Sequence, residues 1–292
     1  MYIKTLMVMT MLFCITFTSA QNLNTEIANE GETPFLLGKI NKFGLTSENY
    51  NTWFSKNFDD YQPEQSTINE LSKTLKNYTI KVFLGTWCGD SKREVPRFYK
   101  IIEACEFPDS KLEVIALSNQ VNMYKQSPNH EEQGLNIHRV PTFILYKNGV
   151  EVNRIVEHPV ETLEKDLLNI TTKNTYISNY NIVKKVDEKI KNGTFKASKK
   201  MSKILKPDAI KMPELNTYAT VLFTSNQQKE AIEVLKLNTI LYPDDAKTFE
   251  FLANRYYALN LPKKALKYYK KALKLAPNDE NLKSYIAALE NN

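Results

Sequence analysis

Cys88 stands in the setting of this sequence best suited to chemistry. It lies in Thr86-Trp87-Cys88-Gly89-Asp90-Ser91, directly after an apolar run over residues 80–84 that reads as a buried strand. The residues that follow read as a helix, because Val95, Phe98, Tyr99 and Ile102 recur at i, i+3, i+4 and i+7. A thiol at a strand-to-helix junction meets unpaired backbone N–H groups and the positive end of the helix dipole. Both favour the thiolate, which is the form that attacks a disulfide. Three residues on, where a second thiol would close an internal disulfide, the chain has Ser91. A mixed disulfide formed on Cys88 therefore has no resolving sulfur within the motif.

The elements that must position this sulfur follow in order. Pro96 lies inside the predicted helix, where it removes one hydrogen bond and predicts a kink. Val140-Pro141-Thr142 opens a second apolar run over residues 143–146, and Asn148-Gly149 closes it as a hairpin turn. Residues 150–156 read as the returning strand. Val160, Leu163, Leu167, Leu168 and Ile170 then predict a closing amphipathic helix.

Over residues 68–170 these features resemble the thioredoxin family, in its Cys-x-x-Ser subgroup. The matching residues are Trp87-Cys88-Gly89, Pro96, Val140-Pro141-Thr142 and Lys147-Asn148-Gly149. The resemblance implies a central mixed sheet flanked by helices, with Cys88 and Ser91 as the reactive pair. It also implies a cis Pro141 against the sulfur, and a substrate groove lined by Trp87, Val140, Pro141 and Thr142. Val82 stands where thioredoxins carry a buried, proton-moving aspartate, so that assistance is missing. Asp90, inside the motif, opposes the thiolate by like-charge repulsion. Cys105 lies 17 residues beyond Cys88 along the helix, about 25 Å away at ~1.5 Å per residue, far outside disulfide reach. It reads as a buried structural cysteine.

Residues 1–20 carry one positive charge, Lys4, then an apolar stretch over residues 6–17 and the small-residue end Thr18-Ser19-Ala20. This pattern predicts a signal peptide cleaved after Ala20, which would discard Cys14. Bulky Phe13 argues against lipid attachment at Cys14. The expected destination is the periplasm or the extracellular space, an oxidising compartment in which Cys88 and Cys105 are too far apart to pair. No other apolar run reaches membrane length.

The chain has 292 residues, 42% of them hydrophobic, enough for two cored domains. Its net charge of +6 is unevenly spread. Residues 172–292 hold 22 Lys and Arg against 12 Asp and Glu, whereas the preceding residues hold 17 against 21. The lysines fall at helical spacing, which fits a solvated helix face better than a nucleic-acid surface.

Pairs 34 residues apart mark a repeat: Asn226 and Asn260, Ala231 and Ala265, Pro243 and Pro277, Asp245 and Asp279. This period resembles the tetratricopeptide repeat, two helices per unit. Residues 246–279 form the most regular unit, with Phe249, Leu252, Ala253, Tyr256, Ala265, Tyr269, Ala272 and Pro277 at pattern positions. Residues 212–245 match less regularly, with Asn238 at a position that is usually small. Asn192 and Ala197 carry the phase upstream, so residues 172–211 read as a linker or a degenerate repeat. There Lys184 and Lys185 occupy positions expected to be buried. Leu282, Ile286 and Leu289 mark a capping helix. Arrays of this type take a peptide or protein partner.

The expected domains are thus a signal peptide over residues 1–20, a thioredoxin-like domain over 21–171, and repeats with a cap over 212–292. Residues 21–66 contribute an apolar segment at 35–40 and a stripe of Tyr50, Trp53, Phe54 and Phe58, expected to cover one side of the first domain. Ser66 or Thr67 is the expected N-cap of a helix ending at Leu75. His130, His138 and His158 lack metal-ligand spacing, and with 8 glycines there is no phosphate loop, so neither a metal nor a cofactor is expected.

Two functions fit. One is an exported monothiol protein that exchanges disulfides through Cys88, of isomerase or adduct-removing type, acting on a thiol- or disulfide-containing protein. The other is an interaction protein in which Cys88 is merely a small apolar group and both domains dock partners.

Overall fold

The computed structural model describes residues 23–28, 30–173, 175–209, 211 and 213–291. The expected leader and Cys14 lie outside the described residues.

Six strands form one mixed sheet: β1 (Thr25–Ile27), β2 (Phe35–Ile40), β3 (Thr79–Leu84), β4 (Leu112–Ala116), β5 (Thr142–Lys147) and β6 (Val150–Val156). Their order is β1-β2-β4-β3-β5-β6, and only β3 and β4 run parallel. Helices α1 (Lys42–Leu45), α2 (Glu48–Asp60), α3 (Gln65–Leu75), α4 (Gly89–Ala104) and α5 (Leu163–Thr172) complete the first domain.

The strands alternate between two cores, as pleated backbone requires. Ile80, Val82, Leu84, Val114, Ala116, Phe143 and Leu145 face a large core shared with α2 to α5. Phe83, Ile115 and Ile144 face the other way, into a small core with Leu117, Ile137 and Val140. Trp87 and Cys88 pack against that second core. The sulfur therefore sits at the start of α4, at the edge of the sheet face covered by the largely irregular segment 117–141.

Some local expectations change. Residues 35–40 are a full sheet strand, with Leu36 and Ile40 in the main core, rather than a covering segment. Tyr50 and Phe54 of the aromatic stripe are buried, and the Phe54 ring meets Tyr99 of α4 at 5.9 Å. Helix α3 starts one turn early: Glu64 is its N-cap, and its carboxylate accepts from the Ser66 and Thr67 hydroxyls inside the first turn. Val160 lies outside α5 at 52% exposure, because Thr162 caps that helix by accepting from the Lys165 N–H.

The second half is helical throughout its ordered elements: α6 (Asn181–Lys191), α7 (Lys199–Leu205), α8 (Pro213–Thr224), α9 (Gln228–Leu241), α10 (Ala246–Ala258), α11 (Pro262–Leu275) and α12 (Glu280–Glu290). The 34-residue spacing has a physical cause. Asn226 and Asn260 take the left-handed conformation, φ 60° and 54°, at equivalent helix ends, where asparagine costs little. Asp245 and Asp279 each cap the next helix by accepting its free N–H groups. Ala231, Ala253, Ala265 and Ala272 are fully buried and allow the helices to approach closely, while Tyr218, Tyr256 and Tyr269 fill the core. The odd Asn238 is buried and donates to the Asn216 side chain at 2.8 Å. Ile182, Val183, Val186 and Leu205 of α6 and α7 join this core, whereas Lys184 and Lys185 point to solvent. The fold is a thioredoxin-like α/β domain followed by an all-α repeat array.

Candidate functional site: a helix-start cysteine

Strand β3 ends at Leu84, and the chain turns through Gly85-Thr86-Trp87 into α4. Gly85 is required by packing: a Cβ there would meet the Trp87 ring at 2.5 Å. The turn closes as the Cys88 N–H donates to the Gly85 carbonyl at 2.9 Å. The Thr86 hydroxyl accepts from the Leu36 N–H at 3.0 Å and ties the turn to β2. Cys88 is the N-cap of α4 and is half-buried. Its sulfur thus lies beside the unpaired N–H groups of the first helical turn.

The sulfur donates to the Val140 carbonyl at 3.2 Å, and the Val140–Pro141 bond is cis. Thr142 steadies that approach by donating from its hydroxyl to the Arg139 carbonyl at 2.8 Å. Trp87 donates from its indole to the Leu117 carbonyl at 2.8 Å and lies 6.3 Å from the Tyr124 ring. Trp87, Cys88, Val140 and Pro141 are therefore brought together, and Thr142 supports them from the start of β5.

Ser91 is fully buried beneath them, and its hydroxyl accepts from the Gly85 N–H at 3.2 Å. Its observed hydrogen bond is with the end of β3 and not with the sulfur. Asp90 turns to Arg93, 2.8 Å away, and Arg93 also meets the buried Glu94 at 2.6 Å. That engagement offsets the repulsion that an acid within the motif would exert. Val82 is fully buried in the main core. Cys105 caps the far end of α4, 1% exposed, and burial pushes its thiol up to about 11.

Sequence reasoning missed three residues of segment 117–141. Lys125 is buried, with its ammonium donating to the His138 carbonyl and lying 4.9 Å from the centre of the Tyr124 ring. Burial pushes it down to about 8; Arg139 adds to the fall, and Cys88 and Glu157 oppose it. His138 is wholly enclosed, pushed down to about 3 by burial and then by the Lys125 charge. Arg139 pairs with Glu157 at 2.9 Å. Nothing in the sequence separates Lys125 from a surface lysine, since its segment has no apolar period.

The same segment meets the repeat domain. The His138 ring lies edge-on to Tyr180 at 5.5 Å and to Tyr218 at 6.1 Å. Gln126 donates to the Thr224 carbonyl at 3.1 Å, and Lys191 donates to the Gly134 carbonyl at 3.3 Å. Among the described residues, no cluster of three or more His, Cys, Asp or Glu side chains is placed to hold a metal. Among them no helix is long and apolar enough to cross a membrane.

Comparison with known proteins agrees with this architecture. The chain is similar to thioredoxin of Mycoplasma genitalium, 26% identical over 102 residues, which span 35% of this chain and 89% of that protein. A tetratricopeptide-repeat family model matches residues 246–279, the unit that the 34-residue spacing marks out.

Proposed function

We propose that this protein is an exported monothiol catalyst of thiol–disulfide exchange, with Cys88 as its nucleophile and the repeat array as its docking domain. The observation that carries the reading is the Cys88 sulfur at a helix start, 3.2 Å from the carbonyl that precedes cis Pro141. Export rests on the leader pattern of residues 1–20.

In the first step the Cys88 thiolate attacks one sulfur of a substrate disulfide. A bond forms between Sγ and that sulfur, the original S–S bond breaks, and the second substrate sulfur leaves as a thiolate that takes up a proton. The exchange involves no net oxidation. Ser91 offers no sulfur to attack the mixed disulfide. Release therefore comes from an external thiol or from the freed cysteine of the same substrate. The first outcome removes a small-thiol adduct, and the second isomerises a wrong pairing. The substrate chain meets Trp87 and Cys88 at the surface, while Val140, Pro141 and Thr142, expected to line the groove, are buried and set the carbonyl that the sulfur bonds. The repeat array raises its effective concentration by holding substrate or partner close to Cys88.

The test is reactivation of a scrambled disulfide protein by the full chain in a reduced-thiol buffer. The account expects activity that Cys88→Ala abolishes and Cys105→Ala retains. Equal reactivation by wild type and Cys88→Ala would leave only the docking role.

A further inference from the structure

Lys125 is 4% exposed, and it follows the short 3-10 turn Val121–Met123 in a segment otherwise without helix or strand. A buried ammonium is normally matched by a carboxylate. Among the described residues Lys125 forms no ion pair; its ammonium meets the His138 carbonyl and the Tyr124 ring. Its backbone is held too, because the Lys125 N–H donates to the Ser118 carbonyl and the Ser118 N–H donates to the Gln126 carbonyl.

The placement relative to the sulfur is informative. Lys125 bonds the carbonyl of His138, and Cys88 bonds the carbonyl of Val140, two residues along the same strand approach. Two residues of chain span at most about 7 Å. The ammonium and the sulfur are thus each fastened to a carbonyl of one short segment, two residues apart. The groups around Lys125 are Cys88 from the start of α4, Tyr124, His138 and Arg139 from its own segment, and Glu157 from beyond β6. Glu157 is already taken up, by Arg139 at 2.9 Å and by the Tyr180 hydroxyl. Cys88 is the acidic group that remains.

We infer that Lys125 is the charge partner of Cys88, a positioning residue whose ammonium favours the thiolate. This rests on the exchange reading and deepens it. The Sγ proton leaves to solvent, and the Lys125 ammonium, already charged, stabilises the thiolate left behind. When the thiolate is consumed in the mixed disulfide, the ammonium loses its anion, and the departing substrate thiolate takes its proton from solvent. Lys125 thus acts on the sulfur from the segment on the sheet face opposite Val82.

The test is the rate of iodoacetamide alkylation of Cys88 in the full native chain, near pH 7 and near pH 9.5. Lys125→Met is expected to slow labelling about tenfold near pH 7, the effect of one pKa unit, and to leave it nearly unchanged near pH 9.5. Lys125→Arg, which keeps the charge, is expected to restore the rate near pH 7. A structural change that merely hid the sulfur would slow both. The reciprocal measurement uses Cys88→Ala: the Lys125 side-chain carbon signal should then titrate at lower pH, because the opposing anion is gone. An unchanged rate ratio in Lys125→Met, or an unchanged Lys125 titration in Cys88→Ala, overturns the inference. Neither readout needs a disulfide substrate, so a chain that labels as expected yet reactivates no scrambled protein sinks the exchange reading alone.

Discussion

Cys88 and Val140 are joined by a 3.2 Å hydrogen bond from sulfur to carbonyl, and on the exchange reading this bond sets where a disulfide would arrive. The sulfur lies at the edge of the smaller core, between the Trp87 indole and the approach to β5. One side of it is occupied by the helix start and the other by the Lys125 segment. On the exchange reading, a substrate would reach it along the remaining open edge.

The two described cysteines should differ sharply in reactivity. Cys88 is half-buried, whereas Cys105 is sealed at the far end of α4 with its thiol pushed up to about 11 by burial. Native protein near pH 8 should take up a single maleimide, at Cys88 among these two, with Cys105 labelled only after unfolding. Peptide mass mapping checks the assignment.

Ser91→Cys should convert the site into a dithiol. Position 91 lies one turn into α4 beneath Cys88, and a thiol there would be the resolving sulfur that the native chain lacks. Mixed disulfides on Cys88 should then fail to accumulate and be replaced by an internal 88–91 bridge. The measurement is non-reducing mass spectrometry of Ser91→Cys after brief oxidation.

Acid should loosen the contact between the domains. The ordinary histidine value is about 6.5, and enclosed His138 is held down to about 3. The unfolded chain therefore binds the extra proton first as pH falls. The contribution of neutral His138 is complete above pH 6.5 and is lost progressively toward pH 3, at up to about 1.4 kcal/mol per pH unit. His138→Phe preserves an aromatic ring between Tyr180 and Tyr218 and should flatten this part of the profile. Urea midpoints between pH 4 and 7 report it.

Lys125→Met should stabilise the fold while impairing the sulfur. The folded chain holds Lys125 at about 8, below its ordinary 10.5, so the charged form opposes folding. The unfolded state binds more protons between those two values, and the penalty of the native lysine shrinks as pH rises from 8 to 10.5. The stabilisation in Lys125→Met should therefore approach about 3 kcal/mol near pH 7 and fade at alkaline pH. Equal melting temperatures across that range would contradict the burial argument.

Local chemistry made much of this legible in the sequence. The Trp87-Cys88-Gly89 turn, the Val140-Pro141 approach and the Asn148-Gly149 hairpin each carry their geometry in a few adjacent residues. The repeat was visible because Asn226 and Asn260 must take positive φ, and Asp245 and Asp279 must cap. What stayed hidden depends on contacts distant in sequence. Lys125, His138 and Arg139 gain their meaning from Cys88, Glu157, Tyr180 and Tyr218, which no spacing rule connects. The start of α3 at Glu64 and the exclusion of Val160 from α5 were missed for a smaller reason, since several neighbouring residues were able to cap.

The most direct test of exchange through Cys88 is intact-mass analysis of the full chain after it meets a disulfide-linked peptide at neutral pH. The account predicts one covalent peptide per chain, placed on Cys88, released by added thiol and missing from Cys88→Ala. A wild-type chain that stays unmodified while a free cysteine control reacts would contradict it.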